Sequence, residues 1–472
     1  MFGRRGRAPA AAVVLSGQTG SGRAVKSINH IALAITRSLG RQGVPVFRFH
    51  PNGMLHDLES RYCKHVLCPN LYDEEAALVD CLLEFARSMG RAPVLFAASD
   101  GAASFISRHS GQLAGRYRLV VAPAACIEEI QDKGRLYRRA VEVGVAIPKT
   151  FEPASEAEAI LASQSIDYPA VIKPLTSHHW KTAQVSPAVG GAKAVEVDSP
   201  QALLEVYRKV APLAPRMMIQ EIVQGEDERL LTFLGYFDRE GRPLAGCVRK
   251  KLRQSPARFG YCCLTETVRD KEAMQQAVRL LSALGYRGIG CVEFKRDPRD
   301  GVLKLIEINT RAVRTTGMAI GAGVDLPFIA YCDMVGVPVK PCFHYRVGMR
   351  WVALMDEIFA ARELMAGGEL TFSQWLSAFR APMVEAEWAW DDPLPFLDHT
   401  GRQVGRLLAS ATRRRVVPQL QRGLGWLGKE MPLQARRLST SLRRLPGWVA
   451  ARRAQGRKAA QPPVKEPAAA AK

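Results

Sequence analysis

Two carboxylates and an amide, Glu293, Glu307 and Asn309, stand in one stretch, GIGCVEFKRDPRDGVLKLIEINTR, from Gly288 to Arg311. Two runs rich in Val, Ile and Leu flank the turn-forming Asp297-Pro298-Arg299-Asp300-Gly301, which reads as a β-hairpin. Side chains alternate faces along a strand, so Glu307 and Asn309 share one face and Ile306 and Ile308 take the other. A turn of this length sets Glu293 opposite Glu307 or one diagonal step away, within ~8 Å. Like charges facing each other repel, and oxygen ligands from Glu, Glu and Asn suit Mg²⁺ carrying a nucleotide phosphate. The competing arrangement is a solvated hairpin whose carboxylates pair with Lys295, Lys304 or Arg311.

Cations recur along the chain where an anion could use them. Lys173 follows three apolar residues in YPAVIKP, out of pattern for a buried strand, so its ammonium needs an anionic partner or a route to water. Lys133 lies in the helical run IEEIQDKGRLYRRAVEVG, where a solvated helix face is the plain alternative. Arg249, Lys250 and Lys251 cluster in PLAGCVRKKLRQ, and we take Arg249 and Lys250 as candidates for phosphate or substrate contacts against a surface role. Glu221 sits in an apolar strand ahead of Glu226-Asp227-Glu228. Asp100 follows the apolar run PVLFAAS and reads as an N-cap of the next helix, with a ligand contact as the alternative. The turn Gly17-Gln18-Thr19-Gly20-Ser21-Gly22 lacks the Lys and Ser/Thr of a phosphate-binding P-loop, because Arg23-Ala24 follow. His178 and His179 read as flap contacts to ligand or solvent rather than as metal ligands.

The elements that must hold these residues follow an α/β rhythm. From Ala12 to Gly101 strand-like and helix-like runs alternate, which predicts an open, mainly parallel sheet. The polar segment TSHHWKTAQVSPAVGGAKAVEV between two strands is long for a hairpin and predicts a flap. At 472 residues and 47% hydrophobic, the chain has material for about three domains. No apolar run approaches the ~18 residues of a membrane span. The ten cysteines contain no CxxC pair, so neither zinc nor a disulfide framework is signalled, and reduced cytoplasmic thiols are expected. Of the net charge of +21, the stretch 401–472 alone carries 17 Lys and Arg against 2 Asp and Glu. Leu and Trp recur among those arginines, a pattern that suits an anionic membrane surface or a solvated tail, and its extreme end reads as disordered. The aromatic segment AEWAWDDPLPFL is expected to pack through Trp388 and Trp390.

Taken in order, Lys133, Lys173, a Gly-bearing flap, Glu221 with Glu228, and the Glu293, Glu307, Asn309, Arg311 hairpin resemble the ATP-grasp superfamily, in its D-aspartate ligase-like group of carboxylate-amine ligases. The resemblance covers roughly residues 11–337. It implies a Rossmann-like pre-ATP-grasp domain over 1–122 and an ATP-grasp fold over 123–340, whose two α+β subdomains clasp ATP beneath a lid at about 150–218. A small extension over 341–400 and the basic tail over 401–472 would follow. By the same resemblance Lys133 and Lys173 hold nucleotide phosphates, Glu221, Ile222 and Val223 edge the adenine, and Glu228, or Asp227 in its place, meets the ribose. Glu293, Glu307 and Asn309 would bind Mg²⁺, or Mn²⁺, and Arg311 would stabilise the transferred phosphate. The implied reaction joins a small-molecule carboxylate to an amine through an acyl-phosphate, in the cytoplasm or at the inner face of a membrane with a cell-envelope acceptor. Two alternatives are an ATP-grasp carboxylase or phosphotransferase, and a non-catalytic basic nucleic-acid-binding protein. Nothing resembling a specific nucleic-acid-reading motif supports the last.

Overall fold

A computed structural model describes residues 9–17, 29–51, 60–176, 180, 182, 184–256, 260–403 and 405. His178, His179, Lys181, most of the glycine-rich turn after Gly17 and nearly all of the basic tail lie outside these residues. No described helix is long and apolar enough to cross a membrane. Residues 1–399 form one compact unit, and the remainder is a separate one.

The first sheet is five-stranded and parallel, in the order Cys63–Cys68, Val46–Pro51, Ala12–Leu15, Val94–Ala97, Arg118–Val120. Its central strand AVVL is apolar at every position because both faces are covered: Val13 and Leu15 enter one core cluster and Ala12 and Val14 another. The helix Asp100–Arg108 follows Val94–Ala97, and Ser99, not Asp100, caps it by accepting from Ala102 N. The Asp100 cap reading is thereby corrected. Ser99 is extended, the conformation a capping side chain needs, whereas Asp100 is already in the first turn.

A four-stranded antiparallel sheet runs Thr150–Phe151, Met217–Glu221, Ala170–Pro174, Val195–Val197. Helices Glu156–Ser165 and Pro200–Val210 pack on it through Ala159, Ala162, Leu203 and Tyr207. Trp180, in the expected flap, is buried in that core. The turn ahead of Val195 passes through Gly190 and Gly191, both at positive φ, where a side chain would be strained.

The third sheet has seven strands, Leu303–Asn309, Gly288–Arg296, Leu230–Phe237, Pro243–Ser255, Tyr261–Val268, Arg350–Val352 and Met383–Glu385, antiparallel except for the last pair. Helix Lys271–Ala283 covers one face with Ala273, Ala277, Leu280 and Leu281, and helix Leu326–Val335 contributes to the core on the other. The two strands after residue 341 thus extend this sheet. The segment after them is tied to the N-terminal helix His30–Arg41 by His30–Glu387, Arg41–Asp391 and the buried pair Arg37–Asp392. Trp388 stacks edge-on with both Trp390 and Phe396, so the aromatic cluster forms as its sequence suggested, with Trp390 on its outer side at 89% exposure.

Candidate active site

The hairpin forms with Glu293 directly opposite Glu307 and Cys291 opposite Asn309. A bulge beside Glu293 leaves Ile306 outside the pairing, so Leu303, Leu305 and Ile308 supply the apolar packing expected of Ile306 and Ile308. Five of the seven strands each add one residue to a row through the acidic pair: Glu307, Glu293, Thr232, Arg249, Thr267. Residues in register across a sheet share a face, so the two carboxylates and the Arg249 guanidinium look the same way. Asn309 Nδ2 donates to Glu307 Oε1 at 3.1 Å. Glu307 is walled by protein, yet its carboxylate is accessible, as befits the floor of an open cleft; burial first and Glu293 second raise its pKa.

The hairpin's own cations are engaged elsewhere. Lys304 bonds Glu221 and Asp297, Lys295 donates to the Gly225 carbonyl, and Arg311 pairs with Asp100. A cation from a different strand, Lys251, stands with its Nζ 3.9 Å from Glu293 Oε1. Sequence reasoning passed over Lys251 in favour of Lys250, and strand alternation was the available signal: if Arg249 faces the site, Lys251 must and Lys250 cannot. Arg249 and Lys251 are indeed buried, while Lys250 turns away and pairs with Glu228 at 2.7 Å. Lys250 and Glu228 therefore do not join the row. Lys251 continues it instead, donating to Gln254, whose Nε2 donates to Asp227 at 2.8 Å. Asp227 is the carboxylate of its cluster that stands near Lys251, Lys295 and Glu293, and burial raises its pKa.

The two phosphate-binding candidates meet the row from other elements. The expected single helix around Lys133 breaks at Asp132, whose extended backbone and side chain cap a second helix, Lys133–Glu142, by accepting from Arg135 N. Lys133 thus begins a helix rather than lining a solvated face. Burial, then the neighbouring Lys173, pushes its ammonium down to about 8, with Glu307 opposing. Lys173 is likewise pushed down to about 8 by burial, again opposed by Glu307. Its Nζ donates to Gln220 Oε1 at 2.6 Å and lies 5.7 Å from the Tyr137 ring centre. The Tyr137 hydroxyl donates to the Ile306 carbonyl, fastening this corner to the hairpin.

Glu221 turns its side chain into a buried ion network. It accepts from Arg299 and Lys304, both shared with Asp297, and from Lys149 N; although burial acts to raise its pKa, these donors hold it below the ordinary value. Any contact of Glu221, Ile222 and Val223 with a base is thus a backbone matter for Glu221. The strand Met217–Glu221 and the hairpin turn are locked together by these four charges.

The arrangement fits an anionic ligand with a hard cation. Thr232 Oγ1, Arg249 Nε and Arg311 Nε are buried without a hydrogen-bond partner, and buried polar atoms in native proteins seldom stay so. Among the described residues no three His, Cys, Asp or Glu close a metal cage. Two carboxylates and an amide form instead an open set that leaves positions for water and phosphate oxygens, which is how Mg²⁺ is commonly held.

A family model described as carbamoyl-phosphate synthase L chain, ATP binding domain, matches residues 252–332. D-aspartate ligase of Enterococcus faecium (strain Aus0004) is 22% identical over 266 residues, which are 54% of this chain and 62% of that protein, so the chain spans about three fifths of that relative's length. Among solved structures, L-amino acid ligase from Bacillus licheniformis superposes with a TM-score of 0.50 at 16% identity, over 71% of this chain and 78% of that one. The biotin carboxylase domain of Hydrogenobacter thermophilus 2-oxoglutarate carboxylase, solved with MgADP, ADP and bicarbonate, gives 0.54 at 15% identity, over 73% and 74%. At such identities the solved structures establish a shared fold.

Proposed function

We propose that this chain, which shares the fold of those proteins and matches the ATP-binding-domain model over residues 252–332, is an ATP-dependent carboxylate–amine ligase of the ATP-grasp superfamily. The observation that carries the reading is the row Glu307, Glu293, Thr232, Arg249 facing Lys133 and Lys173, with its unpartnered donors and its carboxylates left open by the hairpin's own cations. Phosphoryl transfer asks little covalent chemistry of a protein; it is catalysed by positioning and by cations around the non-bridging oxygens. Lys133 and Lys173 would hold the nucleotide phosphates, and Arg249, Lys251 and Arg311 would face the transferred group. Lys250 and Glu228 leave this list; Asp227 replaces Glu228 as the acid for the ribose. Glu293, Glu307 and Asn309 would hold Mg²⁺ or Mn²⁺, which when bound neutralises phosphate charge and orients the oxygens.

The substrate carboxylate then attacks the γ-phosphorus, the bond to the ADP oxygen breaks, and an acyl-phosphate forms. An amine displaces phosphate from the acyl carbon to leave an amide. Low water activity protects the intermediate, a task for the four-stranded lid. The similarity to D-aspartate ligase and L-amino acid ligase supports amino acids as the substrate class.

ADP and phosphate release from Mg-ATP across a panel of carboxylates and amino acids tests this. Release that requires both a carboxylate and an amine is expected. Release driven by bicarbonate without an amine would replace ligation by carboxylation, and no turnover with any pair would overturn the reading.

A further inference from the structure

Arg311 Nη2 donates at 2.8 Å to Asp100, a carboxylate in the first turn of the helix that follows the parallel sheet's Val94–Ala97, 211 residues earlier in the chain. Asp100 follows strand Val94–Ala97, which lies beside Ala12–Leu15 at the centre of the parallel sheet. The chain builds outward from this pair in opposite directions, so the crevice beyond their carboxyl ends is the topological switch point at which open α/β sheets take ligands. Its rim is fixed without help from the Asp100 side chain. Ser99 Oγ caps the helix and also accepts from Gly17 N, and Tyr72 packs so closely on Gly101 that a Cβ there would meet its hydroxyl at 2.3 Å. The Asp100 side chain remains 62% exposed, against 15% for Arg311.

We propose that Asp100 is the ammonium subsite for the amine substrate. The inference rests on the ligase reading. Lys133, Lys173, Arg249, Lys251 and Arg311 make the surroundings of the transferred phosphate strongly cationic, and an arriving ammonium is repelled there unless a carboxylate receives it. Asp100 meets that need within one hydrogen bond of the residue assigned to the acyl-phosphate. Before turnover it occupies Arg311 much as a phosphate oxygen would. Once the acyl-phosphate forms, Arg311 turns to the new oxygens, and the exposed Asp100 carboxylate is left to water and to the ammonium. The released carboxylate then holds the ammonium beside the acyl carbon. One proton first passes from the ammonium through Asp100 to water, which frees the nitrogen lone pair for attack on the acyl carbon. The C–N bond forms, the C–O bond to phosphate breaks, and the second nitrogen proton leaves with the phosphate.

The test compares Asp100→Asn and Asp100→Glu with the unmodified protein, using the amino-acid amine found in the panel and, separately, hydroxylamine, an amine already neutral near pH 7. For Asp100→Asn the amine KM should rise about tenfold or more, the range of a charge-assisted hydrogen bond, with the KM values for ATP and the carboxylate little moved. Hydroxamate formation should fall far less, and Asp100→Glu should recover part of the amine KM. An equal fall with amine and hydroxylamine would show that Asp100 only steadies Arg311 and would overturn the proposal, as would an unchanged amine KM. Failure of the ligase reading itself appears separately, as absence of amine-dependent ADP release from the unmodified protein.

Discussion

Glu307→Gln separates the two things Glu307 does, one unfavourable in the empty protein and one indispensable to turnover. Directly opposed residues on antiparallel strands have Cβ atoms about 5 Å apart, and two charges at that distance repel by ~3 kcal/mol at an effective dielectric of 20 and by under ~1 kcal/mol in water. Glu307 is accessible, so solvent screening puts the repulsion nearer the lower figure, about 1 kcal/mol. Glutamine keeps the volume and the hydrogen bond with Asn309 while removing that repulsion. In EDTA the variant should therefore melt slightly higher, by about 2 °C for a unit of this size. With Mg-ATP the balance reverses. A carboxylate lost from the metal set forfeits several kcal/mol of transition-state stabilisation, so ADP release should drop by about two orders of magnitude or more. Paired thermal melts and coupled ADP assays measure both halves. A lower melting temperature in EDTA would refute the opposed-carboxylate geometry, and normal Mg²⁺-dependent turnover would remove Glu307 from the site.

Lys173→Met keeps the apolar stem and should weaken ATP binding by calorimetry far more than amine binding; unchanged nucleotide affinity would return Lys173 to a structural role. Its pH dependence has two opposite signs. Because the folded protein holds Lys173 at about 8 against an ordinary 10.5, the unfolded chain binds the extra proton between these values, so its contribution makes nucleotide-free stability rise with pH across that window. ATP affinity, which needs the ammonium, should fall over the same window, and both trends should shrink in the methionine variant. Lys251→Met should cut ADP release at least about tenfold while Lys250→Met stays within about threefold; the reverse order would show that strand alternation has been misapplied. Lys304→Met strands the side chains of Glu221 and Asp297, 3% and 0% exposed, and should cost about 3 kcal/mol in urea unfolding, Arg299 remaining as a partial partner.

Much of this site was legible before any coordinates, because strand periodicity constrains side chains so tightly. The length of one turn narrowed Glu293 to a place opposite Glu307 or one diagonal step away, the bulge beside Glu293 being invisible in it, and the conflict between Lys250 and Lys251 was decidable from Arg249 alone. The rest depends on distant partners. Nothing local says that Lys304 and Arg299 serve Glu221, some 80 residues earlier, and not the carboxylates of their own hairpin. The run through Lys133 read as one helix, and the cap that Asp132 supplies where it breaks shows only in the folded backbone, where Asp132 is extended and also pairs with Arg216. Asp100 beside Arg311 joins two sheets, and no sequence spacing encodes that meeting. Trp390, read as a packing residue, meets the edge of Trp388 yet stays largely in solvent, a degree of exposure that composition alone does not set.

The two short strands beyond residue 341 also govern how far the protein can be trimmed. Arg350–Val352 covers the outer edge of Tyr261–Val268, and Met383–Glu385 closes the sheet with only three residues, its Glu385 carboxylate accepting from the backbone of Leu354, Glu387 and Trp388. A chain ended near Val337 would keep all the proposed nucleotide-binding side chains. It would also bare the outer edge of the strand Tyr261–Val268, with the outward N–H and C=O groups that Arg350–Val352 now pairs around Leu264 to Glu266. Such an edge templates intermolecular pairing, so a minimal catalytic fragment cut at that point would be lost to aggregation rather than to any defect in its chemistry.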